Sequence, residues 1–296
     1  MKVGLLVSDN WKNKCDDNLM LINEFRSCGV DAREIAWNVE EEIEEIDFYI
    51  IKSTWGYQHN YLNYLNYLKN LSEKKVLMNS YNMVFFNIFK DLQIKNMQDR
   101  KIPIIETIIS DYFEKDILLI NRMLEEGNIV LKPNISASGN DTMLINENIS
   151  ENTIKEYFNA QVSYGKKVII QRFQEEINDG EISLIYCGGF FSHSVKRYPG
   201  VLGIKRPTEY YVADNELIKL GNEIMVTMDL TKELYTRIDI ILTSVGPRVM
   251  EIELNEPDLF YRKLPNSSEK LKSFVNKSIE IYERRKSYEV LNDSRV

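Results

Sequence analysis

Three glutamates stand close together in "VMEIELNEPDLF", residues 249–260: Glu251, Glu253 and Glu256. In "MEIEL" apolar and acidic residues alternate, so a strand here shows carboxylates on one face and an apolar row on the other. Acidic side chains are poor strand formers and costly to bury, so such a row calls for a cation. Upstream lies "YTRIDIIL", and Gly246–Pro247 marks a turn between the two segments. A loop over 243–247 opposes Leu242 to Arg248, which sets Asp239 across from Glu251 and Arg237 across from Glu253. All four then share one face, with Ile238, Ile240, Met250 and Ile252 on the other. Two carboxylates directly opposite repel, raise each other's pKa or recruit a cation. Hard oxygen ligands suit Mg²⁺, which usually binds one or two carboxylates together with substrate phosphates. A solvated face whose acids are balanced by nearby Lys and Arg fits the same pattern. Glu256 follows the strand, where alternation no longer fixes its direction, and stays outside the proposed metal set.

A second group of residues suits anionic ligands. "IVLKPNISASGNDT" ends a β-branched strand at Lys132, and its loop carries Ser136, Ser138 and Gly139. Small residues let backbone N–H groups approach phosphate oxygens, hydroxyls add donors, and a lysine supplies a point charge. The sequence has neither GxxxxGK[ST] nor GxGxxG, and an ordinary polar turn fits the loop equally well. "KVIIQRFQEEI" runs a strand into a connection whose backbone could take the edge of an adenine. "SHSVKRYPG" groups His193, Lys196 and Arg197. Lys196 and Arg197 are candidates to contact phosphate or a substrate carboxylate, whereas His193 reads as a hydrogen-bonded structural histidine.

Composition narrows the chemistry. The 296 residues are enough for a large core and two or three lobes. A net charge of −8 argues against nucleic acid as a partner. Cys15, Cys28 and Cys187 are an odd number without CxxC spacing, which points to a reducing cytoplasm rather than a disulfide framework or zinc site. Only His59 and His193 are present, so histidine-rich metal centres are excluded. No apolar run is long enough to predict a membrane helix, and the start reads as a strand rather than a signal peptide.

The elements that must position these residues alternate at first. Strands at 2–8, "DAREIAW", 47–55 and "KVLMNS" interleave with helices at 17–28 and "YLNYLNYLKNL", which predicts a parallel α/β domain over 1–82. A lobe over 83–175 follows, with helices near 85–97, 114–125 and 151–164 and strands at "IPIIETIIS", "NIVLKP", "TMLI" and "KVIIQRF". Residues 176–296 form a further lobe with strands "EISLIYC" and "FFSHSVKRY" around a turn at Gly188–Gly189, a helix near 214–228 and the acidic hairpin. The charged C-terminal helix, 267–286, is expected on the outside.

In this order the motifs resemble the ATP-grasp ligases, specifically the small carboxylate–amine ligase group of the cycloserine-forming cyclising ligase and glutathione-synthetase-like proteins. The resemblance rests on "CDDNL", "IIKSTWGY", "NIFK" with "IPIIET", "VLKPNISASGNDT", "IIQRF … DGEISLIYCGGFFSHSVKR" and "YTRIDII … VMEIELNEPDLF", and covers almost the whole chain. It implies a pre-ATP-grasp α/β domain followed by a two-lobed ATP-grasp fold. It implies a ligase that uses ATP and one or two Mg²⁺ to form an amide from a small carboxylate and an amine through an acyl phosphate, intermolecularly or by cyclisation, in small-molecule biosynthesis. Carried over by position, Lys90 and Lys132 bind phosphates, with Ser136, Ser138 and Gly139 beside them. Gln171, Arg172 and Phe173 flank the adenine. Asp239, Glu251 and Glu253 hold the metal. Arg237 steadies the transferring phosphoryl group, and Lys196 is the second catalytic candidate. Ser53, Trp55, Tyr57 and Arg197 are candidate substrate contacts, although Trp55 and Tyr57 also suit packing between lobes. The partners are small molecules, without nucleic acid or membrane, and a homo-oligomer is left open. A nucleotide-binding protein without turnover and a small-molecule kinase are the competing readings. The family's Arg-Ser-Thr-Trp-Asp-Tyr reads Lys52 to Tyr57 here, with Lys for Arg and Gly56 for Asp. Lys cannot bind a carboxylate in the bidentate way Arg does, so the substrate need not be that of any relative.

Overall fold

The computed structural model describes residues 1–40, 45–137, 139–199 and 207–293, the last six as helix backbone only. The first sheet is parallel, in the order β2-β1-β3-β4, built from β1 (Lys2–Val7), β2 (Asp31–Ala36), β3 (Phe48–Ile51) and β4 (Val76–Met78). Helices α1 (Asp16–Ser27) and α2 (Tyr61–Ser72) connect these strands. Strands covered on both faces read as continuous apolar runs, as "KVGLLV" does. Gly4 has no room for a side chain, because a Cβ there would lie 2.7 Å from the Tyr49 ring.

One helix was expected over 85–97; the structure has two, α3 (Tyr81–Ile88) and α4 (Lys90–Asp99). They break at Phe89, whose φ −87° and ψ 83° leave the helical region. The apolar periodicity continues across the break, which is why sequence pattern hides it. The break sets Lys90 on the first turn of α4, with its N–H bonded to the Asn134 carbonyl at 3.0 Å.

A second, antiparallel sheet follows in the order β5-β8-β6-β7: β5 (Thr107–Ser110), β6 (Ile129–Pro133), β7 (Met143–Ile145) and β8 (Val168–Arg172). Helices α5 (Phe113–Glu126) and α6 (Glu151–Ser163) cover one face through Phe113, Ile120 and Phe158 against Leu131 and Ile170. The third sheet is antiparallel, β11-β10-β9-β12-β13. It comprises β9 (Glu181–Cys187), β10 (Phe190–Arg197), β11 (Thr208–Tyr211), β12 (Tyr235–Thr243) and β13 (Gly246–Glu253), with helix α7 (Asn215–Thr227) after β11. β11 carries no clear apolar alternation in "TEYY" and was not expected. Gly188 and Gly189 form the expected turn at φ 57° and 85°, and a Cβ on Gly189 would meet the Thr231 carbonyl oxygen at 2.4 Å.

The last helix, α8 (Ser267–Asp293), corrects the expectation of an external helix. Leu271, Phe274, Val275, Ile281 and Tyr282 bury one face against Phe25 and Phe48 of the first sheet's layer and Tyr235 of the third. Its high charge lies on the remaining face, so composition alone misplaced it. Among the described residues no helix is long and apolar enough to cross a membrane.

Candidate functional site

The acidic hairpin forms at the edge of the third sheet. Arg237 pairs with Glu253, Ile238 with Ile252 and Asp239 with Glu251, as the alternation predicts. The turn differs. Thr243 pairs with Gly246, a tighter turn than the loop over 243–247, and a bulge after Asp239 restores the expected register. The extra residue falls at Met250, so Val249, at 1% exposure, takes the core position assigned to Met250.

The outer edge of β13 is held by buried amides. Asn87 and Gln93 both donate to the Ile252 carbonyl, at 2.6 and 2.8 Å, and Asn87 Oδ1 accepts from the N–H groups of Leu254 and Asn255. Asn79 donates to the carbonyls of Tyr235 and Leu254 and accepts from the N–H groups of Leu234 and Tyr235. An edge strand left open would offer unpaired groups to water or to other chains. Here helices α3 and α4 occupy it, which fixes the acid-bearing strand against the two lysine-bearing segments.

Asp239, Glu251 and Glu253 bring carboxylate oxygens within 4.8 Å of one another. Asp239 is buried and accepts from Ser183 Oγ at 2.7 Å, Arg237 Nε at 2.9 Å and Arg237 Nη2 at 2.8 Å. Arg197 Nη2 reaches the same Asp239 Oδ2 at 2.6 Å and Glu181 at 2.5 Å. Arg237 Nη2 also meets Glu253 at 2.7 Å, and Lys90 forms an ion pair with Glu251. Burial pushes the Asp239 carboxyl up, but Arg197 and Arg237 outweigh it and hold the pKa at about 2. Burial also pushes Glu251 up, and Lys90 and Lys132 hold it below its ordinary value. Glu253 ends at about 7, because burial and the neighbouring Glu251 and Asp239 exceed the pull of Arg237. Burial, then Glu253, raises Glu256 well above the carboxylate range.

The second lysine comes from the antiparallel sheet of β5–β8. Lys132 Nζ donates to Gln171 Oε1 at 3.1 Å, and Gln171 Nε2 donates to Thr107 Oγ1 at 3.0 Å. Burial, then the charge of Lys90, lowers the Lys132 amine to about 8. Arg172 faces the other way, onto Glu106 at 3.1 Å and Glu126 at 2.8 Å, so strand alternation leaves only its backbone on the side of Gln171. Phe173 donates its N–H to the Asn128 carbonyl. Ser136 is buried with Oγ bonded to the Pro133 carbonyl at 3.3 Å, and its neighbours Ile135 and Ala137 pack against the first domain's core. Gly139 stands in an open turn at φ 71°. Ser138 lies outside the described residues.

The pair from "SHSVKRYPG" exchanges places. Lys196 lies opposite Ile182, on the face away from the carboxylates, with its amine 5.3 Å from the Tyr198 ring centre. Arg197, opposite Glu181, is the residue that reaches Asp239. One strand cannot send neighbours to the same face, so Lys196, the catalytic candidate, lies away from the carboxylates, and Arg197, the candidate substrate contact, is the one that joins them. Glu181 and Ser183 were missed, although their alternation with Ile182 and Leu184 is readable in "GEISLI".

His193 is structural, as expected. It is buried, with Nε2 2.7 Å from the Leu259 carbonyl oxygen and Nδ1 2.9 Å from Ser192 Oγ. Burial lowers its pKa from 6.5 to about 4. The unfolded chain then binds the extra proton first. His193 contributes stability that is complete above pH 6.5 and is lost as pH falls towards 4. Wild-type protein is expected to lose about 2 to 3 kcal/mol more than His193→Gln between pH 7 and pH 4.5 in urea titrations. Equal losses in the two proteins would reject this linkage.

In the first domain, Ser53 is buried and its Oγ accepts from Asn18 Nδ2 at 3.1 Å. Trp55 packs edge-on to Trp11 at 4.7 Å, and Tyr57 is buried beside Tyr64 at 5.0 Å. Asp17, from "CDDNL", accepts from the N–H groups of Tyr261 and Arg262 at 2.9 and 3.1 Å, clamping the segment after the hairpin onto α1.

Residues 3–79 match the family described as the N-terminal domain of D-cycloserine synthetase DcsG. No curated protein matches the sequence. The crystal structure of D-cycloserine synthetase DcsG superposes at a TM-score of 0.84 with 18% identity, over 95% of this chain and 100% of that one. D-alanine–D-alanine ligase from Bacillus anthracis, solved with ATP, gives 0.71 with 14% identity over 98% and 99%. An ATP-grasp RimK domain protein from Sphaerobacter thermophilus gives 0.70 with 14% identity over 94% and 99%.

Proposed function

Starting from an ATP-grasp fold with a DcsG-type N-terminal domain, we propose that this chain is an ADP-forming ligase that joins a small carboxylate to an amine through an acyl phosphate. The observation that carries this reading is the meeting of two lysines from separate segments with the carboxylate and arginine cluster of the hairpin. ATP is the substrate that fits such a cleft, with Lys90 and Lys132 on its phosphates and Gln171 orienting Lys132. We assign the adenine edge to the segment 171–173, at the end of β8. We assign three lobes, 1–82, 83–175 and 176–296, each containing one of the three sheets.

Asp239, Glu251 and Glu253 offer an all-oxygen donor set that suits Mg²⁺, and their mutual distance of at most 4.8 Å allows one ion to be shared. When bound, Mg²⁺ would neutralise charge on the phosphates. The chain's own residues already hold the compensating charges. Lys90 neutralises Glu251, and Arg197 and Arg237 share Asp239. When ligand charges enter, these groups change partners: Lys90 passes from Glu251 to a phosphate, and the arginines pass from Asp239 to the transferring phosphoryl oxygens. Little desolvation remains to be done, which is how preorganised sites favour charge development.

The substrate carboxylate oxygen attacks the γ-phosphorus as the bond to ADP breaks. The amine nitrogen then attacks the acyl carbon, the C–O bond breaks with its oxygen and electron pair leaving on phosphate, and the proton shed by nitrogen passes to that phosphate or to water. An ionised carboxylate needs no general base for the first step. Hydroxylamine in place of the amine is expected to give hydroxamate and ADP in equal amounts with an accepted carboxylate; ADP formation that ignores every carboxylate would count against a ligase. Lys132→Met removes a charge-assisted contact of about 1.5–3 kcal/mol. The Kd of an ATP analogue is therefore expected to rise about 10- to 100-fold by calorimetry, and an unchanged Kd would remove Lys132 from the nucleotide site.

A further inference from the structure

Lys90 and Lys132 reach one cleft from different elements, Lys90 from the start of α4 and Lys132 from near the end of β6. Three side chains tie these elements together: Asp91, Asn134 and Lys167. Asp91 and Asn134 are buried, and Lys167 is partly exposed. Asn134 Nδ2 donates to Asp91 Oδ1 at 2.8 Å, and Lys167 Nζ donates to Asp91 Oδ2 at 2.7 Å. Asn134 Oδ1 accepts the Lys167 N–H at 3.0 Å. The backbone closes the group. Asn134 N–H donates to the Lys167 carbonyl at 2.9 Å, and the Asn134 carbonyl accepts the Lys90 N–H at 3.0 Å. Both carboxylate oxygens of Asp91 and every polar group of Asn134 are thus engaged.

Each member adjoins a residue of the site. Asp91 follows Lys90 directly, and Asn134 stands two residues after Lys132. Lys167 immediately precedes β8, whose Gln171 accepts from the Lys132 amine. Helix α4 is itself pinned to β13 by Gln93. The group therefore sits where the second sheet meets the helix and strand that carry Lys90 and Glu251. The first N–H groups of a helix have no partner within it, and that of Lys90 is used to fix the helix start against the segment after Lys132. A bond to a charged partner is stronger than a neutral one, and a buried network with all its groups satisfied is rigid. Burial pushes the Asp91 carboxyl up, but the bonds from Lys167 and Asn134 outweigh it and hold it below its ordinary value. Filling space would need only apolar side chains. This alternation of donors and acceptors is satisfied in one placement of α4 against β6.

We propose that Asp91 is a positioning residue of the ligase reaction: with Asn134 and Lys167 it holds Lys90 and Lys132 at the separation a nucleotide's phosphates require. It acts through the two lysines and not on the nucleotide. The proposal rests on the ligase reading, which assigns both lysines to ATP.

The test is calorimetric binding of ADP with Mg²⁺ to the full-length protein, well below the Tm of each variant. Asp91→Asn keeps the shape but removes the charge facing Lys167, and small misplacements of binding groups are costly, so the Kd is expected to rise about 10-fold. The exchange Asp91→Asn with Asn134→Asp reverses the donor and acceptor between the two residues and leaves an amide oxygen for the Lys167 amine. It is expected to return the Kd to within about threefold of wild type. In a Lys132→Met background, Asp91→Asn is expected to cost less than about threefold, because independent losses would multiply and these share a target. A merely structural role would lower the Tm and move none of these values. If Asp91→Asn does not fold, Lys167→Met removes one bond at a partly exposed position and is expected to raise the Kd about threefold or more. A folded Asp91→Asn, or in its place Lys167→Met, with the wild-type Kd would overturn the proposal and leave the ligase reading standing. So would losses that multiply with Lys132→Met, or a folded exchange variant as weak as Asp91→Asn. Wild-type protein that binds no ADP would overturn the ligase reading and this proposal together.

Discussion

Asp239→Asn is expected to lower kcat/KM on the order of 10³-fold, the scale on which lost electrostatic stabilisation of a transition state is felt. The substitution keeps shape and one acceptor oxygen but removes the charge that three partners share. Ser183, Arg197 and Arg237 all converge on this carboxylate. Without it, the proposed metal set loses its most buried member, and the two arginines are left as adjacent cations with only Glu181 and Glu253 to offset them. Both consequences oppose phosphoryl transfer, so they add rather than cancel. Stability is expected to fall too, because the cations stay buried. Activity must therefore be measured well below the variant's own Tm. A variant that folds and keeps kcat/KM within tenfold of wild type would remove Asp239 from the reaction.

Arg237→Met is expected to cost about 3–5 kcal/mol of stability in metal-free solution, the range found when one partner of a buried ion pair is deleted. Arg237 is the only side chain in the described cluster that bonds both Asp239 and Glu253, and it is 4% exposed. Burial is the largest influence on its own charge and disfavours it, yet Asp239 and Glu253 more than restore it. Deleting it leaves those carboxylates with unmatched charge, Arg197 excepted. Millimolar Mg²⁺ is expected to recover part of the loss, because an ion that binds only the folded state stabilises by mass action. Arg237→Lys keeps the charge but cannot use Nε and Nη2 together, so an intermediate loss is expected. Chemical unfolding with and without Mg²⁺ checks the order of the three proteins. A loss below 1 kcal/mol for the methionine variant would mean the pair is as dispensable as a surface one.

The hairpin was legible because two signals of different kind agreed. Alternation set the faces and Gly246–Pro247 set the reversal. The turn itself was misjudged, and the register at Asp239 and Glu251 survived only because the bulge compensates. A bulge leaves little trace in composition, since any residue that tolerates the local kink will serve. The α3–α4 break was illegible for a similar reason: apolar periodicity runs through it, while Phe89 departs from helix in backbone angles alone. The reversal of Lys196 and Arg197 was within reach. Parity in β10 follows once Arg197 is set opposite Glu181, but an irregularity between Phe191 and His193 shifts the register and defeats counting from the glycine turn. Asn79, Asn87 and Gln93 carry no local signal at all. Each acts on chain more than 150 residues away, and only the fold brings them to the β13 edge.

Isotope transfer tests the central claim most directly. A carboxylate accepted in the hydroxamate assay is labelled with ¹⁸O, and the phosphate released in the amide-forming reaction is analysed by mass. The account predicts one ¹⁸O in phosphate for each amide formed, because the substrate oxygen that attacks phosphorus leaves with it. Amide and ADP accompanied by unlabelled phosphate would contradict an acyl phosphate, and with it the chemistry assigned to Arg237, Asp239 and the two lysines.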